Sequence, residues 1–211
     1  MGYYPIFVEL TGRPCVVIGG GPVAERKVKA LLAERASVTV ISPASSVMLE
    51  GLASKGRIRR VRREYCAGDL AGHQLAFVAT DDGQVNAAVT REAREQGIWV
   101  NAADDPARCD FILPAVLRRG KLIVAVATGG SSPALSRVIR EELEAYFTED
   151  YSDLANVVAD VRRELRQSRC FPDAQTWHKA LGGDLRRLIA EGKRDEARAH
   201  LLERLGQRAC A

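Results

Sequence analysis

Ten residues near the start of the chain, Cys15-Val16-Val17-Ile18-Gly19-Gly20-Gly21-Pro22-Val23-Ala24, set Gly19, Gly21 and Ala24 at the spacing G-x-G-x-x-A behind an apolar run. That spacing suits a turn that takes the pyrophosphate of a dinucleotide. Gly19 permits a tight exit from a strand. Gly21 lacks the Cβ that would hold a pyrophosphate off the backbone, and Ala24 lets the next helix pack close to the sheet. The free N–H groups and positive end of that helix then face the phosphates. Gly19, Gly20, Gly21, Pro22 and Val23 are the candidate phosphate-binding residues. The competing reading of such a motif alone is a strand–helix connector without a ligand.

The sugar end of such a site is expected where the second strand stops, at Ser42, Pro43 and Ala44. Sites for NAD usually carry Asp or Glu there to bind the ribose hydroxyls. A serine discriminates less, and no arginine immediately follows to favour a 2′-phosphate, so these residues leave NAD or NADP open. A further strand-like run leads into Thr80-Asp81-Asp82. Ligands of open α/β sheets lie beyond the carboxyl ends of strands, which adds Thr80 and Asp81 to the cofactor candidates. One of the two aspartates is also expected to cap the following helix. Asp104 follows the last strand of the set at the same edge, where a carboxylate can act as a general base; capping the turn before Pro106 is its bland alternative. Thr128-Gly129-Gly130-Ser131 precedes a helix start with Ser132 as N-cap and Pro133 in the first turn. Such a loop offers backbone N–H groups and a hydroxyl to an anion, or needs glycine only for shape. Arg118, Arg119, Lys121, Arg137 and Arg140 could meet carboxylates, and as a set they supply a positive field.

Alternating segments must position these groups. Strands are expected at 14–18, 37–41, 58–61, 75–79 and 99–101, with helices at 23–34 and 84–96. A further strand at 121–127 leads into a helix from 134 to about 147, and residues 152–211 read as charged amphipathic helices. The fold class is therefore α/β: a Rossmann-type parallel sheet over residues 1–113, a small strand–helix dimerisation segment over 114–148, and a C-terminal helical region over 149–211. A strand and helix added after a complete sheet need something to pack against, and a second subunit is the natural candidate.

The 211 residues are 46% hydrophobic and 27% charged, an ordinary globular balance. The net charge of +4 is too modest to argue for nucleic acid but suits an anionic small molecule. No apolar stretch is long enough for a membrane span, and Met1-Gly2-Tyr3-Tyr4-Pro5 lacks a basic and apolar leader, so a cytoplasmic chain is expected. The five cysteines are scattered without a C-x-x-C pair, and the three histidines share no ligand spacing with them; neither a disulfide framework nor a resident metal is expected. Cys109 reads as a packing residue.

Four segments, Gly19-Gly20-Gly21-Pro22-Val23-Ala24-Glu25-Arg26-Lys27, Ala79-Thr80-Asp81-Asp82, 100–106 with Cys109-Asp110-Phe111, and 128–137, together resemble the precorrin-2 dehydrogenase family, which includes the N-terminal module of siroheme synthase. The resemblance covers roughly the first 147 residues, and the helical tail more loosely. It implies oxidation of precorrin-2, a tetrapyrrole bearing many carboxylates, to sirohydrochlorin with NAD, and in some members insertion of ferrous iron as a substrate to give siroheme. It also implies a homodimer, the stand-alone form without a methyltransferase domain, Asp104 as the catalytic aspartate, and Asn101, Thr128, Gly129, Gly130, Ser131 and Arg137 as substrate-binding residues. A dehydrogenase without chelatase activity and a non-catalytic NAD-sensing dimer are the alternatives. A reductase sharing only the Rossmann half leaves the segment 128–137 unexplained.

Overall fold

The computed structural model describes residues 2–103 and 105–209, without the side chains of 207–209. It divides into two units, 1–113 and 114–211.

In the first unit, β1 (Pro14–Ile18), β2 (Ser37–Ile41), β3 (Arg59–Val61), β4 (Leu75–Val78) and β5 (Trp99–Ala102) form one parallel sheet in the order β3-β2-β1-β4-β5. Cys15, Val16, Val17, Ala76, Phe77 and Val78 are all buried, as a parallel sheet covered on both faces requires. One face packs on α1 (Pro22–Ala33) and α2 (Val47–Ser54), the other on α3 (Gly83–Gln96). Each helix starts on a local signal. Gly21 is the N-cap of α1 with Pro22 in its first turn. Ser46 caps α2 by accepting from the Leu49 N–H. Asp82 caps α3, accepting from Gln84 and Val85 N–H at 2.8 and 3.1 Å, and Gly97 ends that helix with φ 68°. The helix α2 is an addition to the sequence reading: Pro43 and Gly51 obscure a segment that Ser46 starts.

The second unit corrects one expectation. The run near 121–127 is not a lone strand: β7 (Leu122–Val126) pairs antiparallel with β6 (Ala115–Arg119). The Arg118-Arg119 pair makes the first strand look like a charged loop, although charge is common on strands with a free edge. Gly120 turns the hairpin at φ 54°, where a Cβ would come within 3.0 Å of the Ser152 side chain. The hairpin packs on α4 (Pro133–Tyr146) and on α5 (Asp150–Gln167). A separate core, with Val161, Leu185, Leu201 and Leu205 fully buried, joins α5 to α6 (Ala174–Ala180), α7 (Gly183–Ala190) and α8 (Arg194–Ala209). No helix among the described residues is long and apolar enough to cross a membrane.

Candidate functional site

The three glycines of the turn serve three different ends. Gly19 sits at φ 123°, and a Cβ there would lie within 3.0 Å of the Ala79 carbonyl; its N–H donates to Ile41 O at 3.0 Å. Gly20 abuts the loop after β2, where a Cβ would come within 3.0 Å of Ala44 O, Ser42 Oγ and Ser45 Cα. The Ser46 N–H donates to Gly20 O at 3.0 Å, which ties that loop to the turn. Around Gly21 a Cβ would meet nothing within 4 Å. Gly21 is also an N-cap without a side chain, so the first-turn N–H groups of Val23 and Ala24 have no capping partner. Open space, free donors and a positive helix end together fit the pyrophosphate of a dinucleotide.

The sugar end differs from expectation. Ser42 is buried, and its hydroxyl donates to Ala44 O at 2.6 Å, so its proton braces the loop rather than facing a ribose. Pro43 and Ala44 are exposed. Ser45, which sequence reasoning passed over, accepts from Arg60 Nε at 2.6 Å. Arg60 pairs with Glu50 at 2.5 Å, and Arg62 reaches the same carboxylate at 2.9 Å. No arginine immediately follows Ser42 along the chain, yet parallel pairing of Val40 with Arg60 delivers one from β3. At the next strand end, Thr80 Oγ1 accepts from the Asp82 N–H at 3.0 Å, Thr80 O accepts from Asn86 at 3.0 Å, and Asp81 is exposed.

The loop after β5 carries position 104, and Asp104 itself lies outside the described residues. Its surroundings are tightly held. Cys109 Sγ lies 3.2 Å from both Ala102 N and Ala102 O and 3.3 Å from Asp105 O, gripping the chain on both sides of position 104. Burial, the largest influence, pushes the Cys109 thiol above its ordinary pKa. Asp105 is paired with Arg108 at 2.8 Å, and Arg108 also donates to Gly83 O at 3.4 Å. Asp110 exchanges bonds with Val100, N–H to O at 2.8 Å and Val100 N–H to Oδ2 at 2.9 Å.

Asn101 is turned into the protein. It is buried, accepts from Lys27 Nζ at 3.0 Å and donates to Phe111 O at 3.0 Å. Both ends of its amide are occupied, so it joins α1 to the 109–111 segment. Lys27 also lies 5.5 Å from the centre of the Phe77 ring, and Phe77 meets Phe111 edge to face.

In the second unit, Thr128 turns inward as well. Its Oγ1 donates to Ser132 O and accepts from Ser132 N–H, both at 3.0 Å, so the hydroxyl closes the loop instead of reaching out. Gly129 and Gly130 sit at φ 61° and 85° with open space around them. Ser131 and Arg137 are exposed beside them, and Ser132 caps α4 by accepting from Leu135 N–H at 3.1 Å. Arg119 donates to Phe147 O at 2.8 Å, and Arg140 pairs with Glu141 and Glu144. Arg119 and Arg140 thus have local structural partners. Among the described residues, no three His, Cys, Asp or Glu side chains gather to hold a metal ion.

A five-stranded parallel sheet with this glycine turn at its first strand end defines a dinucleotide-binding protein of the Rossmann type. A family profile described as "Putative NAD(P)-binding" matches residues 6–115, and the chain belongs to that family. A second profile, for the central part of a sirohaem biosynthesis protein, matches residues 119–146. The chain is similar to the siroheme synthases of Methylococcus capsulatus, 42% identical over 205 residues, and Ectopseudomonas mendocina, 40% over 209. These matches cover 96% and 97% of this chain but 43% and 44% of those proteins, so the chain spans less than half their length. The solved structure of SirC, a precorrin-2 dehydrogenase, superposes with a TM-score of 0.74 at 28% identity, covering 97% of this chain and all of that one. The family resemblance drawn from the four motifs is met by these relatives.

Proposed function

We propose that the chain oxidises precorrin-2 to sirohydrochlorin, with NAD as the hydride acceptor. The observation that carries this reading is the open, uncapped helix start at Gly21, in a chain whose two units match a precorrin-2 dehydrogenase along almost their whole length. Bound NAD would supply the two-electron acceptor, since desaturating the ring removes one hydride and one proton. The chain supplies position and a base. Gly19 to Val23 and the 42–44 loop hold the cofactor, with Thr80 and Asp81 at the next strand end. Asp104 takes the proton, and Cys109 ties together Ala102 and Asp105, the described residues on either side of that position in the chain. Asp105 is the weaker candidate because its carboxylate is committed to Arg108. The Gly129–Gly130 backbone, Ser131 and Arg137 receive substrate carboxylates.

The active form is a homodimer. Val116 on β6 and Leu135 and Val138 on α4 leave 38%, 50% and 48% of their surfaces exposed, an apolar set on the segment that carries the Thr128 loop. The cytoplasm is the proposed setting, because the five cysteines are scattered without a C-x-x-C pair, a usage that suits a reducing compartment. Anaerobic incubation with fresh precorrin-2 and NAD, followed by absorbance, tests the reading. NAD-dependent formation of sirohydrochlorin, lost in Asp104→Asn and retained in Asp105→Asn, is the expected result. Loss in Asp105→Asn alone moves the base by one residue. NAD binding without turnover in the unaltered chain leaves the sensor alternative. Ferrous iron added to the same cuvette separates a chelating form from a dehydrogenase alone.

A further inference from the structure

The 2′ position of the adenosine ribose is read at the end of the second strand, where a carboxylate binds the free hydroxyl and an arginine admits a 2′-phosphate. Residues 42–46, Ser-Pro-Ala-Ser-Ser, contain no carboxylate. Ser45 instead accepts from Arg60 Nε at 2.6 Å, which leaves its own O–H able to donate to another group. The Ser45 Cα lies within 3.0 Å of where a Gly20 Cβ would be, so the Ser45 backbone borders the glycine turn. A hydroxyl polarised by a guanidinium is a donor, and a phosphate offers only acceptors. The charge balance agrees. Glu50 is shared by Arg60 at 2.5 Å and Arg62 at 2.9 Å, two cations to one anion, with Lys55, Arg57 and Arg59 close in sequence.

We infer that Ser45, backed by Arg60 and Glu50, makes this site accept NADP as well as NAD, with Ser45 the residue that meets the ribose substituent. The inference deepens the dinucleotide reading and rests on it. The Arg60 side chain is only 6% exposed, so Arg60 is a positioning residue that acts through the Ser45 hydroxyl and through its field. Glu50 tempers that field and sets the ratio between the two cofactors.

The test is calorimetric titration of the purified chain with NAD and with NADP, in the unaltered protein and in Ser45→Ala and Glu50→Gln. In the unaltered chain NADP binds within about tenfold of NAD, because no carboxylate repels its phosphate. Ser45→Ala weakens NADP about tenfold and NAD by less than about threefold, as loss of one hydrogen bond to a charged group predicts. Glu50→Gln strengthens NADP relative to NAD by about tenfold at low salt, a gain that shrinks as salt screens it. A purely structural staple between α2 and β3 would weaken both cofactors alike. NADP binding more than about a hundredfold weaker than NAD in the unaltered chain overturns the inference, as does a ratio unmoved by both substitutions. Ser45→Ala removes one hydroxyl and leaves the Arg60–Glu50 pair intact, so it decides the matter if Glu50→Gln fails to fold. Should neither dinucleotide bind, the dinucleotide reading itself falls and this one with it.

Discussion

Replacing Gly19, Gly20 and Gly21 one at a time by alanine separates folding from binding within a single turn. Gly19→Ala combines a Cβ within 3.0 Å of the Ala79 carbonyl with a backbone at φ 123°. The strained backbone costs about 1–3 kcal/mol and the overpacking about 1–3 more. Gly20→Ala carries no positive φ, but its Cβ meets Ala44 O, Ser42 Oγ and Ser45 Cα within 3.0 Å, so about 1–3 kcal/mol of stability is lost. Gly21→Ala meets nothing within 4 Å, and its φ of −86° suits alanine. Its folding cost is that of a poorer N-cap, under about 1 kcal/mol. The order reverses for the ligand. A methyl at Gly21 displaces the pyrophosphate from the first-turn N–H groups, and each lost bond to a charged group costs about 1.5–3 kcal/mol, or roughly 10–100-fold in Kd.

Urea unfolding followed by Trp99 emission, in a Trp177→Phe background, reports the first unit, because Trp99 lies on β5. NAD titration of the same proteins reports binding. The expected pattern is two destabilised proteins, Gly19→Ala and Gly20→Ala, and one stable protein, Gly21→Ala, that no longer binds. If Gly21→Ala binds NAD as the unaltered chain does, the open space at Gly21 is not the pyrophosphate cradle and the reasoning fails.

Burial, the largest influence on Glu92, pushes its carboxyl up, but bonds from Tyr65, Gly68 N–H, Leu70 N–H and Gln96 together hold it below its ordinary value. A depressed folded value means that its contribution is present above the unfolded value near 4.5 and is lost as pH falls through the folded one. Glu92→Gln should therefore cost about 1–3 kcal/mol at pH 7 and flatten the acid limb of the stability profile; an unchanged acid limb counts against it. Burial lifts the Cys15 thiol to about 11, so peptide mapping after brief native thiol labelling should find exposed Cys66 modified and Cys15 untouched until the chain unfolds. Val138→Glu should convert a dimer to a monomer in light-scattering chromatography and leave the circular dichroism unchanged, since Val138 is 48% exposed within the chain. A dimer that persists in this variant places the subunit contact elsewhere.

Much of the sheet was legible because a buried parallel sheet writes itself as short apolar runs punctuated by turn residues. The strands at Pro14–Ile18 and Ser37–Ile41 and the caps at Asp82 and Ser132 follow from their own residues. What stayed hidden depends on pairing across the sequence. Arg60 lies 15 residues from Ser45 and reaches it because β3 pairs with β2. The hairpin partner Ala115–Arg119 was masked by charge, and α2 by its shortness and its glycine.

Ser42, Asn101 and Thr128 are the polar residues whose types most suggested ligand contact, and all three are used internally. There is a physical reason. A site that binds anions through main-chain N–H groups must hold its loops in conformations that glycine alone does not enforce. Buried hydroxyls and amides do the holding, because each costs stability if it is left unpaired. Lys27 shows where such bracing leads. Its ammonium leaves the helix that begins at the glycine turn and ends on Asn101, whose amide holds Phe111 beyond the loop that carries position 104. The helix that follows the glycine turn and the 109–111 segment are thereby tied to the same buried amide. Asn101→Ala, which removes the amide that links Lys27 to Phe111, should lower kcat in NAD-dependent turnover more than it alters the Kd for NAD. An equal loss in both would mean that Asn101 merely supports the fold.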